Sequence, residues 1–217
     1  MTTTPAFDYS KVKSYFADLL KTHGANYLGL GWNSMSAQEI RFDQLIKIVG
    51  HSPYSLLDYG CGYGGLYDYL VRSGHAPIYY GYDIVESMII QGRRTHPPIK
   101  GGHPDHPNCH FSMDLATIPK VDYSIASGTF NMKLDTPAEL WTASVLIELN
   151  TMWSHCTHGL AFNLLTSYAD QDRLRPELYY ADPCFFFDFC MRNFSRHVTL
   201  LHSYNLYDFT ILVRKQS

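Results

Sequence analysis

The stretch SLLDYGCGYGGL, residues 55–66, constrains this chain more than any other. Ser55, Leu56 and Leu57 read as the end of a short buried strand. Gly60, Gly62, Gly64 and Gly65 make a sharp turn, and residues 66–71 begin a helix. A strand, a glycine turn and a helix in that order form a ready anion or nucleotide site. Glycines let the backbone come close to a ligand, and the first free N–H groups of the helix point at it. Asp58 sets this copy apart. A carboxylate two residues before the first glycine repels a pyrophosphate and attracts an ammonium or a sulfonium.

The segments around the turn alternate between strand and helix patterns. Residues 8–23 carry apolar side chains at helical spacing and end at Gly24. Residues 23–34, HGANYLGLGWNS, read as a loop. Ser36 and Glu39 form a capping box that opens a helix with an apolar face of Ile40, Leu45, Ile46 and Val49. Residues 78–83, IYYGYD, make a second strand ending in an acid, and residues 85–94 a helix. Residues 95–108 are dense in Pro, Gly and His and read as a loop. Residues 109–113 and 121–128 are the third and fourth strands. Thr136, Pro137 and Glu139 form a second capping box with Pro at the first helical position. Residues 160–165 make a fifth strand, residues 166–182 a polar, tyrosine-rich connection, and Asp182-Pro183 opens a last helix. Residues 196–203 and 206–214 close the chain as a hairpin turning at Tyr204-Asn205. This order predicts an α/β fold with a parallel sheet, helices on both faces and an antiparallel C-terminal hairpin. No interdomain linker interrupts it. Residues 1–50 are expected to form a helical cap over the substrate, and residues 51–217 the main globular unit.

Composition excludes several classes. With 217 residues, 46% hydrophobic and 17% charged, the chain can bury a sizeable core. A formal net charge of -3 argues against general nucleic-acid binding. The cysteines at 61, 109, 156, 184 and 190 are odd in number and show no C-x-x-C pair, so reduced thiols and a cytoplasmic location are expected. No apolar run is long enough to span a membrane, and the start MTTTPAF does not read as a signal peptide. The loop histidines His96, His103, His106 and His110 have no carboxylate or cysteine pattern to complete a metal set, so no metal is expected there.

The segment GCGYGG also matches the dinucleotide fingerprint G-x-G-x-x-G, which cannot choose a cofactor alone. Asp58, Asp83 and Asp114 sharpen it. They stand at or beside three successive strand ends and line one crevice at the carboxyl edge of the sheet. Asp83 is placed to take ribose hydroxyls, and Asp114 to accept from an adenine amino group. At these residues the chain resembles the class I S-adenosylmethionine-dependent methyltransferases. The resemblance rests on LLDYGCGYGG (56–65), GYDIVESMI (81–89), SMDL (112–115) and DYSIASGTFN (122–131), and extends over about residues 36–214.

That resemblance implies a three-layer, seven-stranded sheet with the last strand antiparallel, and S-adenosyl-L-methionine as cofactor. It implies that Gly60, Gly62 and Gly64 let the backbone approach the cofactor, with Asp58 near its methionine end. Asp83 would hold the ribose, Ile84 and Met88 would pack on the adenosine, Asp114 and Leu115 would meet the adenine edge, and residues 127–130 (Ser127, Gly128 and Phe130 among them) would close over the methionine part. Cys61 enters through its backbone. Arg41, a cation in the first turn of its helix and so unfavourable to the helix dipole, is a candidate for the cofactor carboxylate or a substrate acid.

Substrate contacts are expected from Tyr9, Trp32, Asn33, Asn131, Tyr179 and Tyr180. His202, Tyr204 and Tyr168 are the candidates for a base or for orienting the substrate. So aromatic a lining suits a small flat acceptor, methylated on O or N and aromatic or heterocyclic in character. A monomer and a homodimer are both open. The rival readings are an NAD(P)-dependent oxidoreductase, which Asp58 and Asp114 disfavour, a methyltransferase acting on RNA or protein, and a cofactor-binding protein without catalysis.

Overall fold

The computed structural model describes residues 7–97 and 109–216. Its strands are β1 (Ser55–Tyr59), β2 (Ile78–Tyr82), β3 (Cys109–Ser112), β4 (Val121–Ala126), β5 (Cys156–Thr166), β6 (Tyr180–Ala181), β7 (His197–Leu201) and β8 (Asp208–Arg214). The main path runs β3-β2-β1-β4-β5-β8-β7, and β6 adds a two-residue parallel pairing to β5. The expected seven-stranded sheet is therefore present, with one short extra strand from the 166–182 connection. β8 is antiparallel to both β5 and β7. The parallel order reverses between β1 and β4, where doubly wound sheets open a crevice at their carboxyl ends.

The helices are α1 (Ser10–His23), α2 (Met35–Leu45), α3 (Gly65–Arg72), α4 (Glu86–Thr95), α5 (Ala138–His155) and α6 (Pro183–Asn193). Alternation along β1 sorts the core. Leu57 and Tyr59 face a cluster that holds Trp141, Val145 and Leu149 of α5 with Phe186 of α6. Leu56 faces the other side, against Phe42 and Leu45 of α2 and Leu66 and Leu70 of α3. Successive strand side chains point to opposite faces, so five residues serve both helical layers.

Several local readings shift. The 23–34 segment is not all loop, because Tyr27–Leu30 winds one 3₁₀ turn capped by the Asn26 side chain. α2 starts two residues earlier than the Ser36 box predicts: Ser34 Oγ accepts from Ala37 N at 3.1 Å, and Ser36 sits inside the first turn. Its inward face is Gln38, Arg41, Phe42 and Leu45, with Ile40 half-buried. Two polar residues face inward because that face lines cavities rather than solid core. At α5 no side chain caps the helix; Pro137 occupies the cap position and the Thr136 N–H is spent on Lys133 O. Asp182, in contrast, caps α6 as its sequence implies, accepting from Cys184 N at 2.8 Å.

Candidate functional site

The glycine turn after β1 is held by backbone. Gly60 N and Cys61 N both donate to Tyr82 O at the end of β2. Gly60, Gly62 and Gly64 all have positive φ, which side chains resist. A Cβ on Gly60 would collide with Thr129, whose hydroxyl donates to Tyr59 O at 2.7 Å. A Cβ on Gly62 would collide with Leu30.

Asp83 locks the turn to β2. Its carboxylate accepts from Gly62 N through Oδ2 and from Val85 N through Oδ1, each at 2.8 Å. Burial pushes its pKa up to about 6, partly offset by those two N–H donors. Asp58 is fully enclosed and accepts from the Tyr79 hydroxyl at 2.6 Å. Burial raises it to about 7, offset in part by that hydroxyl and reinforced by the nearby Asp83 charge. Two carboxyls with little solvent, and no cation beside them among the described residues, favour a positively charged or hydroxyl-rich visitor.

Two spaces meet at this turn. An inner cavity of about 100 Å³ is walled by Asp58, Gly60, Asp83, Met88 and Ser127 from the sheet edge, and by Phe16 and Leu30 from the N-terminal segment. The Ser127 hydroxyl, on its wall, has no hydrogen-bond partner. An outer cleft of about 610 Å³ adjoins it, with Tyr15, Asn33, Arg173, Tyr180 and Tyr207 in its lining. Phe16, Leu30, Trp32 and Gly128 border both. Trp32 lies so close over Gly128 that a Cβ there would strike its ring.

A buried polar relay stands behind Gly128. The Gly128 N–H donates to Asn163 Oδ1 at 2.8 Å, and Asn163 Nδ2 donates to Asp208 Oδ1 at 2.8 Å. Arg41 closes the relay with Nε to Oδ1 at 3.0 Å and Nη2 to Oδ2 at 2.6 Å, and stacks 4.5 Å from the Trp32 ring centre.

These positions sort the sequence expectations. Asp58, Gly60, Cys61, Gly62, Asp83, Ile84, Met88, Ser127 and Gly128 all line the inner cavity. Gly64 lies just behind its wall, under Phe111 and His96. Arg41 borders the outer cleft instead, and its guanidinium is bound to Asp208 rather than open to a ligand carboxylate. Asp114 does not reach the inner cavity's lining; its side chain caps a 3₁₀ turn, accepting from Ala116 N, and Leu115 belongs to that turn. Phe130 is core, its carbonyl accepting from Trp141 Nε1.

Of the expected substrate residues, Trp32, Asn33, Asn131 and Tyr180 border the cleft. Tyr9 does not: its hydroxyl donates to Glu148 Oε1, beside Trp141. Tyr179 is buried against Thr142. None of the three candidate bases borders either space. His202 pairs with Thr166 Oγ1, Tyr204 with Thr210 Oγ1, and Tyr168 is 69% exposed beside His202. The β7–β8 turn does reach the cleft, through Asn205, Leu206 and Tyr207, but the His202 and Tyr204 side chains are turned to Thr166 and Thr210 instead. Val12 and Phe16, which periodicity puts on the apolar stripe of the first helix, line the inner cavity, as do Leu30, Gln38 and Phe42, which the sequence reading did not single out; nothing in a helical stripe distinguishes a cavity wall from packing.

The five cysteines carry free thiols. His96 is buried and bound to Asp68 Oδ1 at 2.8 Å, and His110 stacks on Tyr80. His103 and His106 lie outside the described residues. No described helix is long and apolar enough to cross a membrane.

A Mycobacterium tuberculosis (strain ATCC 25618 / H37Rv) protein named "Putative methyltransferase Rv1506c" is 42% identical over 165 residues, covering 76% of this chain and 95% of that one. The chain belongs to the class I S-adenosylmethionine-dependent methyltransferases. No family model matches it. This methyltransferase shares its fold with magnesium protoporphyrin IX methyltransferase from Synechocystis PCC 6803 with bound SAM, at 18% identity and TM-score 0.63, over 99% of this chain and 100% of that one. A second match is Burkholderia thailandensis 1,6-didemethyltoxoflavin-N1-methyltransferase, at 14% identity and TM-score 0.61, over 100% and 94%. The pyocyanin biosynthetic protein PhzM matches at 14% identity and TM-score 0.65, over 93% of this chain and 62% of that one. S-adenosylmethionine is the cofactor of this enzyme.

Proposed function

We propose that this methyltransferase transfers the methyl group to a ring nitrogen or an acidic hydroxyl of a small, flat acceptor held in the outer cleft. The observation that carries the proposal is the shared border: an aromatic-lined cleft of about 610 Å³ meets the glycine-turn cavity at Phe16, Leu30, Trp32 and Gly128. Clefts of that size and lining suit small ligands. Two of the enzymes sharing the fold are named for small heterocyclic products or substrates, which fits the same reading.

The inner cavity has the chemistry for the cofactor. Asp83 offers carboxylate oxygens to a ribose, Asp58 places negative charge at the base of the turn, and the unpartnered Ser127 hydroxyl waits for a polar group. Gly60 and Gly62 keep the approach free of side chains. When bound, the cofactor supplies an activated sulfonium methyl. The protein's part is to align the acceptor lone pair and to exclude water. Orientation alone contributes about 7–11 kcal/mol.

No histidine borders the cleft, and its carboxylates are Asp172, exposed, and Asp208, bound to Arg41. A site with so little base favours acceptors that present a lone pair near neutral pH without help. The inner cavity is smaller than an ordinary ligand pocket because Leu30 and Trp32 lean over the glycines. The N-terminal segment therefore moves outward as the cofactor enters. Parallel calorimetric titrations with S-adenosylmethionine and S-adenosylhomocysteine, followed by a turnover screen of heteroaromatic amines and phenols, test the reading. Turnover of RNA or protein substrates in preference to every small acceptor would overturn it.

A further inference from the structure

We propose that His51, Asp122 and His158 form a binding site for a divalent transition-metal ion of the zinc class, at the amino-terminal edge of the sheet. The three stand far apart in the chain and are gathered by the fold. His51 lies in the segment entering β1, Asp122 is the second residue of β4, and His158 is the third of β5. This is the edge opposite the glycine turn. One donor atom of each residue lies within 4.8 Å of those of the other two.

A register shift places them. Val121 pairs with Cys156, but Tyr123 pairs with Gly159, so β5 carries one extra residue against Asp122. Bulges of this kind re-aim side chains. Here the outcome brings the His158 Nδ1 within 3.2 Å of Asp122 Oδ1. Four-coordinate zinc, with bonds of about 2.0–2.1 Å, keeps neighbouring donor atoms roughly 3.3 Å apart. The His51 and His158 rings are 4.7 Å apart centre to centre.

The surrounding contacts hold the donors in place. Asp122 Oδ2 accepts from Ser55 N at 2.7 Å and from Ser55 Oγ at 2.9 Å, while Oδ1 faces the imidazole and accepts from Thr157 Oγ1 at 3.4 Å; that exposed hydroxyl also lies 2.9 Å from His158 Nδ1 and gives way when the ion binds. The Tyr123 hydroxyl oxygen accepts from Gly50 N at 3.0 Å and lies 2.9 Å from His51 Nδ1. Its remaining lone pair can take the Nδ1 proton, the arrangement that fixes a ligating imidazole and frees its Nε2. Two imidazoles and one carboxylate select zinc or its neighbours over magnesium and calcium. Both histidines are exposed, so rotation closes the set at little cost, and a water fills the fourth position.

The test is calorimetric titration of chelator-treated full-length protein with zinc chloride. One ion per chain is expected at micromolar affinity or better. His51→Ala/His158→Ala should weaken binding by about a hundredfold, in line with loss of two ligands, while His103→Ala/His106→Ala keeps it. Circular dichroism verifies folding, which two exposed positions should not disturb. Cobalt substitution gives a second readout: the strong visible bands of a four-coordinate ion should appear in the wild type and vanish in the His51→Ala/His158→Ala protein. At about a hundredfold excess over the dissociation constant, zinc should raise the unfolding temperature by roughly 5–10 °C in the wild type alone. No binding at about 100 µM zinc, or binding that survives loss of His51 and His158, would overturn the proposal.

Discussion

Asp83 carries two duties that one substitution separates. It accepts from two backbone N–H groups and, in our proposal, from the ribose. Asp83→Ala should weaken S-adenosylmethionine binding at least tenfold, about 1.4 kcal/mol, by calorimetry. Unchanged affinity would remove the ribose assignment. Asp58 shows itself through pH. Its folded pKa, near 7, lies above its unfolded value of about 4, so the folded chain binds the proton more tightly. Its contribution to stability is complete below about pH 4 and is lost as pH rises toward 7. Asp58→Asn should therefore gain on the wild type between pH 5 and pH 8, by a few kcal/mol in urea unfolding. A sulfonium or ammonium beside either carboxyl would expel its proton. Cofactor binding near pH 6.5 should release protons, measured as a dependence of the binding heat on buffer ionisation enthalpy.

Between elements, the relay from Gly128 through Asn163 and Asp208 to Arg41 ties β4, β5, β8 and α2 together behind the two spaces. Arg41→Met leaves a buried carboxylate with its cation gone, which costs about 3–5 kcal/mol. The double variant Arg41→Met/Asp208→Leu should recover much of that in denaturant unfolding. Recovery below about 1 kcal/mol would show that the pair acts separately. The N-terminal segment supplies the other element-scale test. Trp32 borders both spaces and rests on Gly128, so cofactor entry should change its fluorescence. That change should disappear in Trp32→Phe, because neither Trp141, buried in the core, nor Trp153, stacked on Phe194, borders either space.

For the whole molecule, the division of labour follows the sheet. Its carboxyl edge, at the β1/β4 reversal, holds the glycine turn, the acids and both spaces. The amino edge holds the two exposed histidines and Asp122. The strand and helix order was legible from the chain because hydrophobic period and glycine placement are local properties. So were the glycine turn, Asp58 and Asp83, since a strand end followed by a tight turn leaves its acid one possible place. At Asp114 the chain alone does not separate two duties, because an aspartate after a strand can cap a turn as readily as face a ligand, and here its Oδ1 accepts from Ala116 N.

What residues 55–89 determined unaided was the fold family, the crevice and the acids that face it, all set by contacts between near neighbours. Tertiary structure alone decided which aromatic residues border the cleft, that Arg41 is spent on Asp208, and that His202, Tyr204 and Tyr168 point elsewhere. It also decided that His51, Asp122 and His158 meet. The reason is the same in each case: those partners are joined only by the packing of strands remote in sequence, and a one-residue register shift, such as that between β4 and β5, changes which side chains face one another.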